Sequence, residues 1–281
     1  MPRFTTSDGL GLHFEDAGTG APVLCLAGLT RNGADFTWLA PHVADTRLIR
    51  LDYRGRGRSD HAADPQSYSI PREGLDAVEL LDHLGLDRAV IIGTSRGGLI
   101  AMTLAATHRD RLAGVVLNDI GPELAEAGLA RIMDYVGRAP PATDLDAAAE
   151  ALMQAHAADF PGVPLARWRA QAGFMWFEKP EGGIGLRYDA RLREALATPD
   201  AGAGAPQPAP DLWPFFDALS DLPLASIRGA NSDLFSADCQ ARMQARNPGM
   251  IATAVPDRGH VPFLDEPPAL KAIRAVLEAV R

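Results

Sequence analysis

An α/β fold with a mostly parallel central sheet flanked by helices is what this sequence predicts, and three observations predict it. Short apolar runs that end at Gly28, Asp52 and Gly93 alternate with stretches of helical period over residues 10–118. That rhythm belongs to strands buried on both faces of a parallel sheet. It breaks at residue 121 and resumes after a low-complexity stretch at 201–210, as when a helical segment is inserted into such a sheet. The residues able to do chemistry fall directly after strands, at the carboxyl edge where open α/β sheets bind ligands.

Taken in order, residues 10–16 alternate apolar and polar, with Leu12 and Phe14 on one side, as a half-buried strand does. Residues 22–27 and 46–51 are the next two strands. A helix starts at Ser69-Ile70-Pro71, carries Leu75, Val78, Leu81 and Leu84 on one face and stops at Gly85. Residues 89–92 form a buried strand. Residues 97–106 are apolar on nearly every side, which suits a central helix, and residues 112–118 are the next strand. From 121 to about 210 the reading is mostly helical, without strands of the earlier kind. Thr143 and Asp146 are spaced as a capping box for a helix running to about Asp159. The stretch at 201–210 reads as a linker. Strands at 224–228 and 251–255 follow, then a closing helix at 268–280 with Leu270, Ile273, Val276, Leu277 and Val280 facing inward. Since the insertion leaves from a strand's carboxyl end, it is expected to form a lid over that edge. The expected division is a core of residues 1–120 and 211–281 and a helical cap of residues 121–210.

The 281 residues are 47% hydrophobic and 22% charged, as in ordinary globular proteins, which excludes disorder for most of the chain. A net charge of −9 argues against a nucleic-acid partner. No run of about 18 apolar residues predicts a membrane span, and residues 1–9 lack the apolar core of a signal peptide, so a cytoplasmic location is expected. Cys25 and Cys239 make neither a disulfide framework nor a zinc site and are expected to be reduced. Phosphate loops, metal-ligand clusters and dinucleotide fingerprints are absent from the sequence, so no cofactor is implied.

Gly93-Thr94-Ser95-Arg96-Gly97 follows a strand and opens a helix. So tight a turn requires glycines two positions to either side of the serine, and it aims the hydroxyl outward at a helix N-terminus. Three further motifs accompany it. They are Asp52-Tyr53-Arg54-Gly55-Arg56-Gly57-Arg58-Ser59-Asp60, then Ala27-Gly28-Leu29, then Gly259-His260 with Pro262, Leu264, Glu266 and Pro267. Together, in this order and over nearly the whole chain, they resemble the α/β-hydrolase family. The resemblance implies that family's fold, with a helical cap inserted after the sixth strand, and a serine nucleophile.

A serine hydroxyl needs a base, and the chain has seven histidines. In this fold the order is nucleophile, acid, histidine. His156 lies within the insertion. His260 lies in the loop after the last strand, beside Ser95, and is the expected base. For the acid, Asp233, in the loop after the strand at 224–228, resembles the family's usual position. Asp119 is the alternative, while Asp221 precedes its strand and so lies at the wrong edge. The oxyanion donors are expected to be the backbone N–H groups of Arg96 and Leu29.

Side chains around the site are read in the same way. Arg54, Arg56 and Arg58 are expected to pair with local acids. Arg31 and Arg96 either attract a substrate carboxylate or pair locally, Arg96 then with Glu123 or Asp119. The insertion carries Tyr135, Phe160, Trp168, Phe174, Trp176 and Phe177, and Trp213, Phe215 and Phe216 follow it. Most should form the lid's own core. Trp168, Trp176 and Trp213, with Arg31, are the candidates for lining a mainly apolar pocket.

The implied activity is hydrolysis of a small-molecule carboxylic ester, thioester or lactone through an acyl-enzyme. A C–C bond hydrolase of ring-cleavage products is the alternative, and Val261 stands where those relatives commonly carry an aromatic residue. A non-catalytic ligand receptor on the same fold is a third reading. The partner expected is a small-molecule substrate.

Overall fold

The computed structural model describes residues 2–196 and 210–281. In chain order the elements are β1 (Arg3–Thr5), β2 (Gly11–Ala17), β3 (Pro22–Leu26), β4 (Arg47–Leu51), α1 (Ile70–His83), β5 (Ala89–Thr94), α2 (Arg96–Thr107), β6 (Leu112–Asn118), α3 (Glu126–Tyr135), α4 (Leu145–Ala155), α5 (Leu165–Met175), β7 (Trp176–Glu178), β8 (Ile184–Leu186), α6 (Leu192–Leu196), α7 (Trp213–Asp217), β9 (Leu224–Gly229), α8 (Ala237–Arg246), β10 (Ile251–Val255) and α9 (Pro267–Ala279).

Eight strands form one sheet in the order β1-β2-β4-β3-β5-β6-β9-β10. From β4 to β10 every pairing is parallel, whereas β1 and β2 join antiparallel. β5 lies near the middle, and all six of its residues are buried, which accounts for its unbroken apolar run. α2 packs against β5 between α1 and α7, and its apolar surround follows from that central place. α1 begins where expected, with the Ser69 side chain capping the Arg72 amide. Gly85 ends it in the left-handed region, at φ 65°. α9 buries Ala269, Ala272, Ile273, Val276 and Leu277 against β6, β9 and β10.

The segment between β6 and α7 departs from the mostly helical expectation. Between α5 and α6 it carries a small antiparallel ribbon, with Trp176 opposite Leu186 and Glu178 opposite Ile184. Strands of three residues are too short to show a period in sequence. The cap of α4 is Asp144, which accepts from the Ala147 amide, rather than Thr143, and the helix ends at Ala155. Ala148, Ala149, Phe160, Val163, Trp168, Ala172, Trp176 and Ile184 form a separate apolar cluster that takes in Phe263 from the main body. Of the expected linker, all but Pro210 lies outside the described residues. No described helix is long and apolar enough to cross a membrane.

Candidate active site

Ser95 stands between β5 and α2 with φ 50° and ψ −114°. A non-glycine residue held there stores strain of about 1–3 kcal/mol, which persists only where the surroundings enforce it. The enforcement is visible. A Cβ on Gly93 would come within 2.5 Å of the Gly97 carbonyl oxygen, and one on Gly97 would overlap the Leu26 carbonyl. The Ser95 amide donates to the Asn118 carbonyl at 2.9 Å, which ties the turn to β6.

His260 comes from the loop after β10. Its Nε2 lies 2.9 Å from Ser95 Oγ, and its Nδ1 lies 2.7 Å from Asp119 Oδ2. A carboxylate only accepts, so Nδ1 carries the proton and Nε2 faces the serine hydroxyl as acceptor. The loop is pinned by Asn118 Nδ2, donating to the Pro262 carbonyl at 3.1 Å. Glu266 also holds it by accepting from the Phe263 and Leu264 amides and from Arg258.

The carboxylate facing His260 is therefore Asp119, not Asp233. Asp119 is fully buried directly after β6. Its Oδ1 accepts from the Gly229 amide at 2.7 Å, and its Oδ2 accepts from the Ser232 hydroxyl at 2.6 Å as well as from His260. Asp233 turns the other way and pairs with Arg131 of α3 at 3.2 Å, its side chain 26% exposed. One residue decides the difference: in the loop after β9 it is Ser232 that points at the site.

The two expected oxyanion donors flank the serine. The Arg96 amide opens α2. Opposite it, a Cβ built on Gly28 would lie 3.9 Å from Ser95 Cβ, so the 28–29 turn abuts the nucleophile. Neither the Arg96 nor the Leu29 amide donates to any described residue. The turn is held from behind by Arg56, whose Nε donates to the Leu29 carbonyl at 3.0 Å.

Beneath the site lies a buried charge network. Arg56 and Arg96 both pair with the fully buried Glu73, at 2.7 and 2.5 Å. Burial alone would raise the Glu73 carboxyl, but the two guanidinium groups outweigh it and hold it below the ordinary range. Arg54 pairs with Asp76 and Asp8, and the more exposed Arg58 with Glu15. The Arg96 side chain thus points away from the reacting face, and its partner is Glu73 rather than Glu123 or Asp119. Arg31 is held twice by Asp35 and donates at 2.5 Å to Gln171 of α5, so its charge is already matched.

The tryptophans differ from expectation. Trp168 and Trp176 are buried in the insertion's own cluster. Trp168 stacks on His156 at 5.4 Å and meets Phe263 edge-on at 6.2 Å, so it packs against the His260 loop instead of lining open space. Trp213 lies elsewhere. Its Nε1 donates to Glu123, and Arg246 of α8 covers its ring at 4.6 Å. Tyr135 of α3 stands beside Arg31 and Thr30, where burial pushes its hydroxyl up, while 42% of the residue remains exposed.

Comparison with known proteins gives a consistent picture. A model of the alpha/beta hydrolase fold matches residues 21–267. The chain is 34% identical over 251 residues to the 3-hydroxybutyrate-oligomer hydrolase of Cupriavidus necator, covering 87% of this chain and 84% of that protein. It is 28% identical over 273 residues to the 2-(acetamidomethylene)succinate hydrolase of Mesorhizobium japonicum, covering 95% and 92%. The crystal structure of an alpha/beta hydrolase from Novosphingobium aromaticivorans aligns with a TM-score of 0.90 at 41% identity, over 99% of this chain and 97% of that one.

Proposed function

Because the chain belongs to the α/β-hydrolase fold family, we propose that Ser95, His260 and Asp119 act as a catalytic triad that hydrolyses small carboxylic esters, with short hydroxyacyl oligoesters as the substrate class. The observation that carries this is the unbroken hydrogen-bond chain from Ser95 Oγ through both ring nitrogens of His260 to Asp119. In the reaction Ser95 Oγ attacks the ester carbonyl while His260 Nε2 takes its proton. Asp119 keeps Nδ1 protonated and stabilises the imidazolium that forms. The Leu29 and Arg96 amides, free of other acceptors among the described residues, receive the oxyanion, a contribution of about 3 kcal/mol per donor in related chemistry. His260 then protonates the departing alcohol. Water, activated by the same nitrogen, releases the acid from Ser95.

The substrate class draws support from the Cupriavidus necator relative, a hydrolase of 3-hydroxybutyrate oligomers by name. The insertion, residues 121–210, serves in this reading as a cap. Tyr135 of α3 and Gln171 of α5 meet the core beside Arg31, and a cap so placed would govern which acyl and alcohol groups reach Ser95.

The test is release of free acid from dimers and trimers of 3-hydroxybutyrate and from simple aryl esters, by the native enzyme and by Ser95→Ala. Turnover of the oligomers by the native enzyme, a fall of at least about 1,000-fold in the variant and an unchanged melting temperature are expected. Residual activity near the native value would overturn the nucleophile. Turnover of aryl esters alone would overturn the substrate class.

A further inference from the structure

We infer that Ser232 is a positioning residue of the active site, whose hydroxyl fixes the Asp119 carboxylate against His260. The inference rests on the triad reading above and adds a fourth member to it, from a different loop. Asp119 follows β6, and Ser232 lies in the turn after β9.

Ser232 has one proton to give, and its surroundings decide where it goes. The Ser232 oxygen accepts from the Phe235 amide at 3.1 Å and from the Leu234 amide at 3.3 Å. With both lone-pair directions occupied by donors, the hydroxyl proton is directed at its remaining neighbour, Asp119 Oδ2, 2.6 Å away. The turn is itself held by the Ser232 amide, which donates to the Gly229 carbonyl at 3.0 Å. The hydroxyl is thus a preset donor, not a free rotor.

Asp119 needs such a partner. Its carboxylate is fully buried, so its orientation is set by the groups that donate to it. The Gly229 amide holds Oδ1, while Ser232 and His260 share Oδ2. Without Ser232, the only fixed donor left is on the far oxygen, and the carboxylate is free to swing the near one away from Nδ1. His260 would then lose its orientation toward Ser95 in a fraction of molecules. Among the described residues Ser232 hydrogen-bonds to Asp119 and to no other member of the triad, so the loss should fall on the chemical step and spare substrate binding.

A purely structural role predicts something else. The 232–235 turn also packs on the insertion, because the Ala125 amide donates to the Leu234 carbonyl and Gly128 abuts Leu234. If Ser232 only braced that turn, its loss would disturb stability and KM, and any replacement would do comparable harm.

The experiment measures kcat and KM for p-nitrophenyl acetate with the native enzyme, Ser232→Ala, Ser232→Thr and Asp119→Asn. The expected result for Ser232→Ala is a kcat lower by about tenfold with KM within twofold. Ser232→Thr, which keeps the hydroxyl, should recover kcat to within about threefold of native. Native kcat in Ser232→Ala, or equal losses in the alanine and threonine variants, would overturn the inference. If Ser232→Ala fails to fold, Ser232→Cys takes its place in the comparison, being nearly the same size but a weak donor. Asp119→Asn separates the two levels. If it is as active as native, the triad reading itself fails. If it is inactive while Ser232→Ala is native, only the role of Ser232 fails.

Discussion

At the residue scale the acid is the feature with the sharpest consequence. Asp119→Asn leaves the shape intact but offers His260 an amide, which supports the wrong tautomer. A fall in kcat of about 10³–10⁴-fold is expected. Asp233→Asn touches only a surface pair with Arg131 and should stay within about twofold of native. Assaying both variants on one ester checks this, and a reversed order would place the acid on the later loop. Ser95 and His260, which the structure brings to 2.9 Å, could both be named from the sequence, the first by its elbow and the second by its place in chain order. Glycines must flank the elbow, and the histidine follows the last strand. The carboxylate that faces His260 was legible only as the second of two candidates, Asp119 behind Asp233. Two loops at the same sheet edge each carry an aspartate, and Ser232 and Asp233 differ by one position in a turn that sends adjacent side chains in opposite directions. No periodicity encodes that choice. The side chain of Arg96 was likewise open, since its acid partner, Glu73, lies 23 residues earlier on α1.

At the element scale the insertion is fastened to the core along defined seams. α5 bridges both active-site loops. Gln171 and the Phe174 carbonyl take hydrogen bonds from Arg31 and Asn32, and Arg167 forms a two-pronged pair with Asp265 beyond His260. The second seam is Arg187–Arg191 against the loop after β4. The Gly57 amide donates to the Arg187 carbonyl, and the Tyr68 hydroxyl donates to Asp189 at 2.6 Å. Burial alone would raise the Asp189 carboxyl, but Arg191 and Tyr68 outweigh it and bring it to about 2. A carboxyl lowered on folding adds stability that is present above its unfolded value near 4 and is lost as pH falls toward 2. The native protein should therefore lose melting temperature between pH 4.5 and 2.5 more steeply than Asp189→Asn, with a difference on the order of 1 kcal/mol. Parallel slopes in a pH series of melts would remove Asp189 from the seam. Strands, the elbow helix and the closing helix were readable from apolar period. The β7–β8 ribbon was not, because three-residue strands carry no period and their pairing is settled by tertiary packing.

At the scale of the whole molecule, the site is assembled from the ends of β3, β5, β6, β9 and β10, so it exists only once the sheet is complete. Glu73 is where this dependence concentrates. It sits on α1, touches no reacting group, and joins Arg56, which holds the Leu29 carbonyl, to Arg96, whose amide opens α2. Removing its charge leaves two guanidinium groups buried and uncompensated. Glu73→Gln should destabilise the fold by about 3–5 kcal/mol, measured by urea unfolding, and slow acylation in whatever fraction remains folded. A variant with native stability and rate would show the network to be dispensable. The same triplet has a bearing on how a protein of this kind can change. The Leu29 turn and the start of α2 are both referenced to a single carboxylate inside the molecule, so their spacing is not easily adjusted by one substitution at a time. If the insertion caps the site as proposed, variation is channelled: new acyl or alcohol groups would be reached by altering the insertion, while the turn and helix start tied to Glu73 pass unchanged from one variant to the next.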